Sequence, residues 1–279
     1  MSKQIWLIIA SVLLTLGLAV FIGVMSVNDW DFEKLTTTQY ERNVYSVNES
    51  FDKIDIDVEI IDVYFKLAED GICKIECDES EEMKCSYTVK DNTLVISVQE
   101  KNKWYDFIQF VPKSPKMTLY LPMNEYTALA VESETGDINV SRDFTFSNIE
   151  IDSTTADVEF SAKVSETIDI ETTTGDVTIK NITANQLNVV TTTGDVELYN
   201  VIVEKKMDIE TTTGDVEIKD SDAEEIAIET TTGDVSGTLL SDKVFITDTT
   251  TGDVDVPKTT TGGKCEITTT TGDIEIDIE

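Results

Sequence analysis

The chain has 279 residues, 55 of them acidic and 21 basic, with a formal net charge of −34 and no histidine. That field repels nucleic acid and anionic headgroups, and the missing histidine removes the commonest general base and zinc ligand. With 40% hydrophobic residues and four prolines, the composition allows a sizeable core and does not read as a disordered stalk.

Ile5 to Val27 is an uncharged apolar run, and about 20 residues suffice to span a bilayer as a helix. Lys3 precedes it, while Asp29, Asp31 and Glu33 follow. The charge bias predicts residues 1–4 in the cytosol, 5–27 as a single membrane anchor and the rest outside the cell. Trp6 and Trp30 stand near the two ends, as interfacial aromatics do. A cleaved signal peptide is the rival reading, but its apolar region is shorter, about 7–15 residues, and ends in a small-residue site that is missing here. Residues 28–48 read as a polar stalk.

Residues 49–130 read as irregular first rungs of a β structure. Ile54 to Phe65 aligns without a gap on Ile168 to Ile179 of the regular repeats, with Ile61 in the glycine place and Asp62 keeping the aspartate. Turns are expected at Asp91-Asn92 and from Pro112 to Pro115. Cys73, Cys77 and Cys85 cluster at a spacing that is not a zinc signature. With Cys265 they read as small buried hydrophobes, and a Cys77–Cys85 bridge is the alternative.

Residues 131–279 carry a repeat. Thr-Thr-Thr-Gly-Asp-Val or a close variant recurs with Gly or Ala at 136, 156, 175, 194, 214, 233, 252 and 272, in steps of 19 or 20 residues. A fixed period of that size signals a solenoid in which each repeat is one rung. Alternation along Ile168, Ile170, Thr172 and Thr174, then Val177 and Ile179, predicts two strands per rung around a Gly-Asp corner, with Thr172 and Thr174 inward and Thr173 outward. Because Ile61 and Ala156 fill the glycine place in two copies, that position is expected to accept negative φ. The aspartate is expected to cap its own turn. The final run, Ile274 to Glu279, is expected to be an edge strand open to another copy.

Three chemistries were weighed on these residues. Corner aspartates about 4.8 Å apart could hold Ca2+ between them, but one carboxylate per rung supplies few of the six to eight oxygens that ion takes. Polysaccharide cleavage needs convergent acids that depart from the repeat, and the acids here follow it. Ice or crystal binding needs two outward threonines per copy. No catalytic, cofactor-binding or metal residue is therefore assigned, and no cofactor.

The Ile-x-Ile-Glu-Thr-Thr-Thr-Gly-Asp-Val-x-Ile rungs, with Ile54 to Val63 and Leu119-Tyr120-Leu121-Pro122 ahead of them, resemble the bacterial putative-adhesin family, a domain of unknown function, over residues 50–279. The resemblance implies an envelope-tethered β-solenoid, with some members linked to envelope stress, and it brings no catalytic residues. The expectation is an all-β protein: a single-stack β-solenoid of 19–20 residues per rung, preceded by one transmembrane helix. Its expected role is non-catalytic cell-surface binding of a protein or glycan, with a membrane-protein partner for stress sensing. The alternative is a structural or self-assembling spacer.

Overall fold

The structure, a computed structural model, describes residues 3–27, 29–30, 39–100 and 114–279. The chain divides into two units. The first contains helix α1 (Lys3–Val27). Its stretch Ala10–Val27 is long and apolar enough to cross a membrane, properties that a signal sequence shares. Thr15 returns its hydroxyl to the carbonyls of Ser11 and Val12, so the helix satisfies its own polar group. Trp30 is exposed beyond its end. The side chain of Trp6 and the turn residues Pro112 and Lys113 lie outside the described residues.

The second unit is built of strands. They are β1 (Glu41–Val47), β2 (Lys53–Ile60), β3 (Asp62–Leu67), β4 (Cys73–Glu79), β5 (Met83–Lys90), β6 (Thr93–Glu100), β7 (Lys116–Leu121), β8 (Glu125–Thr135), β9 (Ile138–Val140) and β10 (Thr145–Thr155). There follow β11 (Val158–Phe160), β12 (Lys163–Thr174), β13 (Val177–Thr193), β14 (Val196–Thr213), β15 (Val216–Thr232), β16 (Val235–Leu239), β17 (Lys243–Thr251), β18 (Val254–Asp255), β19 (Gly263–Thr271) and β20 (Ile274–Ile278). Successive coils pair in parallel, as a β-solenoid requires. In β13, β14 and β15 one continuous run holds the second strand of a coil, its return and the first strand of the next. It bends at Asn181, Asn200 and Asp220, whose φ values are 57°, 55° and 49°. Asn and Asp tolerate that conformation better than other side chains. The Asn200 amide also donates to Asn181 Oδ1 at 3.1 Å, tying two of these bends together.

The coils do not stack in chain order at either end. Before the Gly-Asp corner the pairing runs β6–β2–β8–β10–β12–β13–β14–β15–β19–β17. After it the pairing runs β7–β3–β9–β11–β13–β14–β15–β16–β20–β18. The coil β2–β3 thus lies inside β6–β7, and the last coil, β19–β20, inserts between β15–β16 and β17–β18. This narrows the expectation for the C-terminal run: Ile274 and Glu275 are paired on both sides, Ile276 to Ile278 pair β16 alone among the described residues, and β17 is a further open edge.

At the other end three strands turn antiparallel. β5 pairs β6, β4 pairs β7 and β1 pairs β4. Residues 41–47 of the expected stalk therefore belong to the sheet, because their alternation continues inward through half-buried Asn43 and Tyr45 to buried Val47. The Asp91-Asn92 hairpin turn is present, both residues having positive φ, as a two-residue type I′ turn needs.

The corner explains the motif. The glycines at 136, 175, 194, 214, 233, 252 and 272 have φ between 137° and 158°, and a Cβ on Gly194 would sit 2.0 Å from the Gly175 carbonyl oxygen of the neighbouring coil. The expected negative φ holds only where Ile61 and Ala156 stand, and the glycines adopt the positive region instead. The Gly194 N–H donates to the Thr213 carbonyl at 3.0 Å, and the buried first threonine, Thr211, donates its hydroxyl to the Gly194 carbonyl at 3.4 Å. The aspartate does not cap its own turn. The Asp195 carboxylate accepts the N–H of Asp215 in the next coil at 2.8 Å, and the same bond runs from Asp62 to Asp253 along the stack. Thr172 is buried as expected, but Thr174 is exposed, because the chain begins to turn into the corner there.

Inside, identical rows stack: Ile168, Leu187, Met207, Ile226 and Cys265 form one, and Ile170, Val189, Ile209, Ile228 and Ile267 another, all buried. Each such side chain contributes about 1.5–3 kcal/mol on burial. The four cysteines are free thiols, with Cys73, Cys77 and Cys265 buried and Cys85 half-buried. Burial pushes the Cys73 and Cys265 thiols up to about 12. Cys77 is raised by hydrogen bonding to Cys85 and by burial.

Candidate functional site

Among the described residues no group of three or more His, Cys, Asp or Glu is arranged to hold a metal ion. In the corner ladder one carboxylate oxygen of each aspartate from Asp62 to Asp273, short of the terminal Asp253, already accepts a backbone N–H. A second acidic row, Asp57, Glu132, Asp152 and Glu171, crosses β2, β8, β10 and β12 in direct register along a shallow open groove. These residues are a solvated face of the coil.

A different surface forms where β3, β7, β4 and β1 lie side by side at the capped end. Alternation sends Val63, Phe65, Met117, Leu119, Ile75 and Cys77 into the core. The same alternation sends Tyr64, Lys66, Lys116, Thr118, Tyr120, Lys74, Glu76, Asp78 and Arg42 outward. Register aligns them in rows. Tyr64 stands beside Thr118, and Thr118 beside Glu76; Lys66 stands beside Tyr120, and Tyr120 beside Lys74. Arg42, Tyr64, Lys66, Glu76, Lys116, Thr118 and Tyr120 line a depression of about 250 Å3. It adjoins another of about 550 Å3 that shares Lys66, Glu76 and Tyr120.

The polar groups of this face are held in place. Lys116 Nζ lies 4.5 Å from the Tyr64 ring centre and 3.0 Å from its hydroxyl. The Tyr64 hydrogen bond and the charge of Asp62, 3.7 Å away, raise Lys116 above its ordinary value. Arg42 bridges Asp78 at 2.9 Å and Glu76 at 3.1 Å, and the Asp78 hydrogen bond raises it too. Burial and the neighbouring Glu76 raise Tyr120. Lys74 pairs with Asp70. Among the described residues Lys66 has no ion pair. Four cations meet five carboxylates, Asp62, Glu69, Asp70, Glu76 and Asp78, so this face is nearly balanced on a chain of net charge −34. It offers two tyrosine rings, fixed donors and fixed acceptors in a shallow, open setting suited to holding a polar ligand.

Behind it, Glu79 locks the cap together. Its buried carboxylate accepts from Tyr45 Oη, Asn43 Nδ2, Lys84 Nζ and the Cys85 N–H. Burial works against the charge, but those four donors hold the carboxyl below its usual range.

No residue of this face was assigned from sequence. Outward tyrosines at Tyr64 and Tyr120, each flanked by core-facing apolar residues, were the available signal. Their adjacency was not legible, because β3, β7, β4 and β1 pair across 26 to 54 residues of chain.

A family model described as Toastrack DUF4097 matches residues 51–205 and 163–279. The chain is similar in structure to a putative adhesin from Bacteroides fragilis, with a TM-score of 0.52, 16% identity, and coverage of 85% of this chain and 97% of that one. It is also similar to a putative lipid binding protein from Parabacteroides distasonis, with a TM-score of 0.54, 15% identity, and coverage of 86% and 98%. At these identities the likeness is one of fold. No curated protein matches the chain.

Proposed function

From the premise that this chain belongs to the Toastrack family, we propose that it is a non-catalytic binding module, held at the membrane by α1 with its β-coil on the outer side. The observation that carries the reading is the nearly balanced, tyrosine-bearing face around Tyr64 and Tyr120 on an otherwise strongly acidic coil. Tyrosine rings present flat apolar surface with a polar tip, and the paired ions around them supply donors and acceptors at fixed positions. That combination suits a glycan, whose rings expose apolar C–H faces between hydroxyls. The similarity to a putative adhesin and to a putative lipid binding protein supports a binding role without naming the ligand.

The test is a glycan array probed with the full chain in detergent micelles, beside the Tyr64→Ala/Tyr120→Ala variant. Retention of a defined glycan set by the native chain, lost in the variant at unchanged melting temperature, is the expected result. No retention, or retention unaltered in the variant, overturns it. Coupling of occupancy to a membrane partner, and so to envelope stress, extends this reading and is tested by co-purification from native membranes.

A further inference from the structure

The two ends of the coil are finished differently. At the capped end the outermost strands are antiparallel and carry charges: Lys84 and Lys90 on β5, Glu41 and Arg42 on β1. Charges on an edge discourage pairing with another chain. At the opposite end β17 pairs β19 on one side, and among the described residues no strand pairs its other side.

The side chains of β17 fit that difference. Its outward positions Val244 and Ile246 align with Lys264 and Glu266 of β19, and behind those with Glu225 and Ala227 of β15. At these two positions charge gives way to β-branched apolar residues, with Val244 37% and Ile246 49% exposed, while Asp248 stands outward where β19 has Thr268. Phe245 points toward the core beside buried Cys265 but is only half-buried, since no coil lies over it. Leu240 and Val254 are exposed at the same end.

We propose that β17 is the contact strand of a two-fold dimer, in which a second copy lays its own β17 antiparallel along this edge. Three features select a second copy. The vacant backbone edge calls for an extended strand of matching length. Apolar Ile246 meets its own copy at the two-fold axis, with Val244 of one strand beside Asp248 of the other. On a chain of net charge −34, two copies repel least where outward charge is sparse, and Asp248 is the one outward acid of β17. The assembly closes at two because each copy's β17 edge is used up in the isologous contact.

The test is sedimentation velocity of the full chain in detergent micelles across a concentration series, beside Ile246→Asp. Ile246 is outward-facing, so the variant leaves the core intact. Paired like charges at the axis should weaken dimerisation about a hundredfold, at unchanged circular dichroism and melting temperature. In parallel, Ile246→Cys under mild oxidation should give a covalent dimer, while Lys180→Cys, on a middle coil, should not. A native chain that stays monomeric, a dimer undiminished by Ile246→Asp, or growth beyond the dimer overturns the proposal.

Discussion

Between Val177 and Thr232 each coil repeats the one before it, whereas at the capped end only Ile54 to Phe65 keeps the repeat, and β1, β4, β5, β6 and β7 do not. In the middle, stability is spread over equal rows, and each side chain is supported by its counterparts about 4.8 Å above and below. At the cap, antiparallel strands are held by single groups, Glu79 above all, that have no counterpart elsewhere. A repeat thus forgives the loss of one polar contact but not a distortion of its corner. The cap forgives substitution of outward residues but not of its buried acceptor.

The sharpest way to break that comparison is Gly194→Ala. The added Cβ meets a neighbouring carbonyl 2.0 Å away at a φ of 154°, and the loss should be about 4 kcal/mol or more. Ala156→Gly, at a corner that already avoids positive φ, should cost only about 1 kcal/mol. Urea unfolding of both compares one motif position in two conformations. Next in size is Ile209→Ala, which opens a cavity in a continuous row and should cost about 2–5 kcal/mol by the same measurement.

Glu79→Gln should cost about 1–3 kcal/mol, since it disturbs a buried acceptor of four hydrogen bonds. Its pH dependence has a definite sign. The folded carboxyl titrates below the ordinary glutamate value of 4.5, so the stabilisation is complete above about pH 4.5 and is lost as pH falls through the lower folded value. Melting curves of the native chain and Glu79→Gln should therefore converge in acid. Unchanged separation down to pH 3 would show that the charge is not what holds the cap.

The smallest effects belong to the aspartate ladder. Asp195→Asn keeps the oxygen that accepts the Asp215 N–H and should change stability by less than about 0.5 kcal/mol, while Asp195→Ala should lose about 1 kcal/mol. If the ladder acts through backbone hydrogen bonds, millimolar Ca2+ should raise the melting temperature no more than sodium chloride of equal ionic strength. A larger rise would mean ion binding by the folded coil.

The local facts of this protein were legible in its residues. Period-two alternation marks which side chains face in, a 19–20-residue step marks one coil, and a run of 23 apolar residues marks the helix, because each follows from chain geometry over neighbouring positions. The conformation of the corner departs from the sequence expectation, since Ile61 and Ala156 report on two exceptional coils while the glycines answer to a carbonyl of the adjacent coil. Thr174 departs from it because alternation stops where the chain bends. Only the tertiary structure decided the order of coils at the two ends, the cap around Glu79, the open edge at β17 and the meeting of Tyr64 with Lys116 and Tyr120 with Glu76. Near-identical repeats carry nearly the same pairing surface, so local pattern cannot choose which coil lies against which. That choice is made by long-range packing.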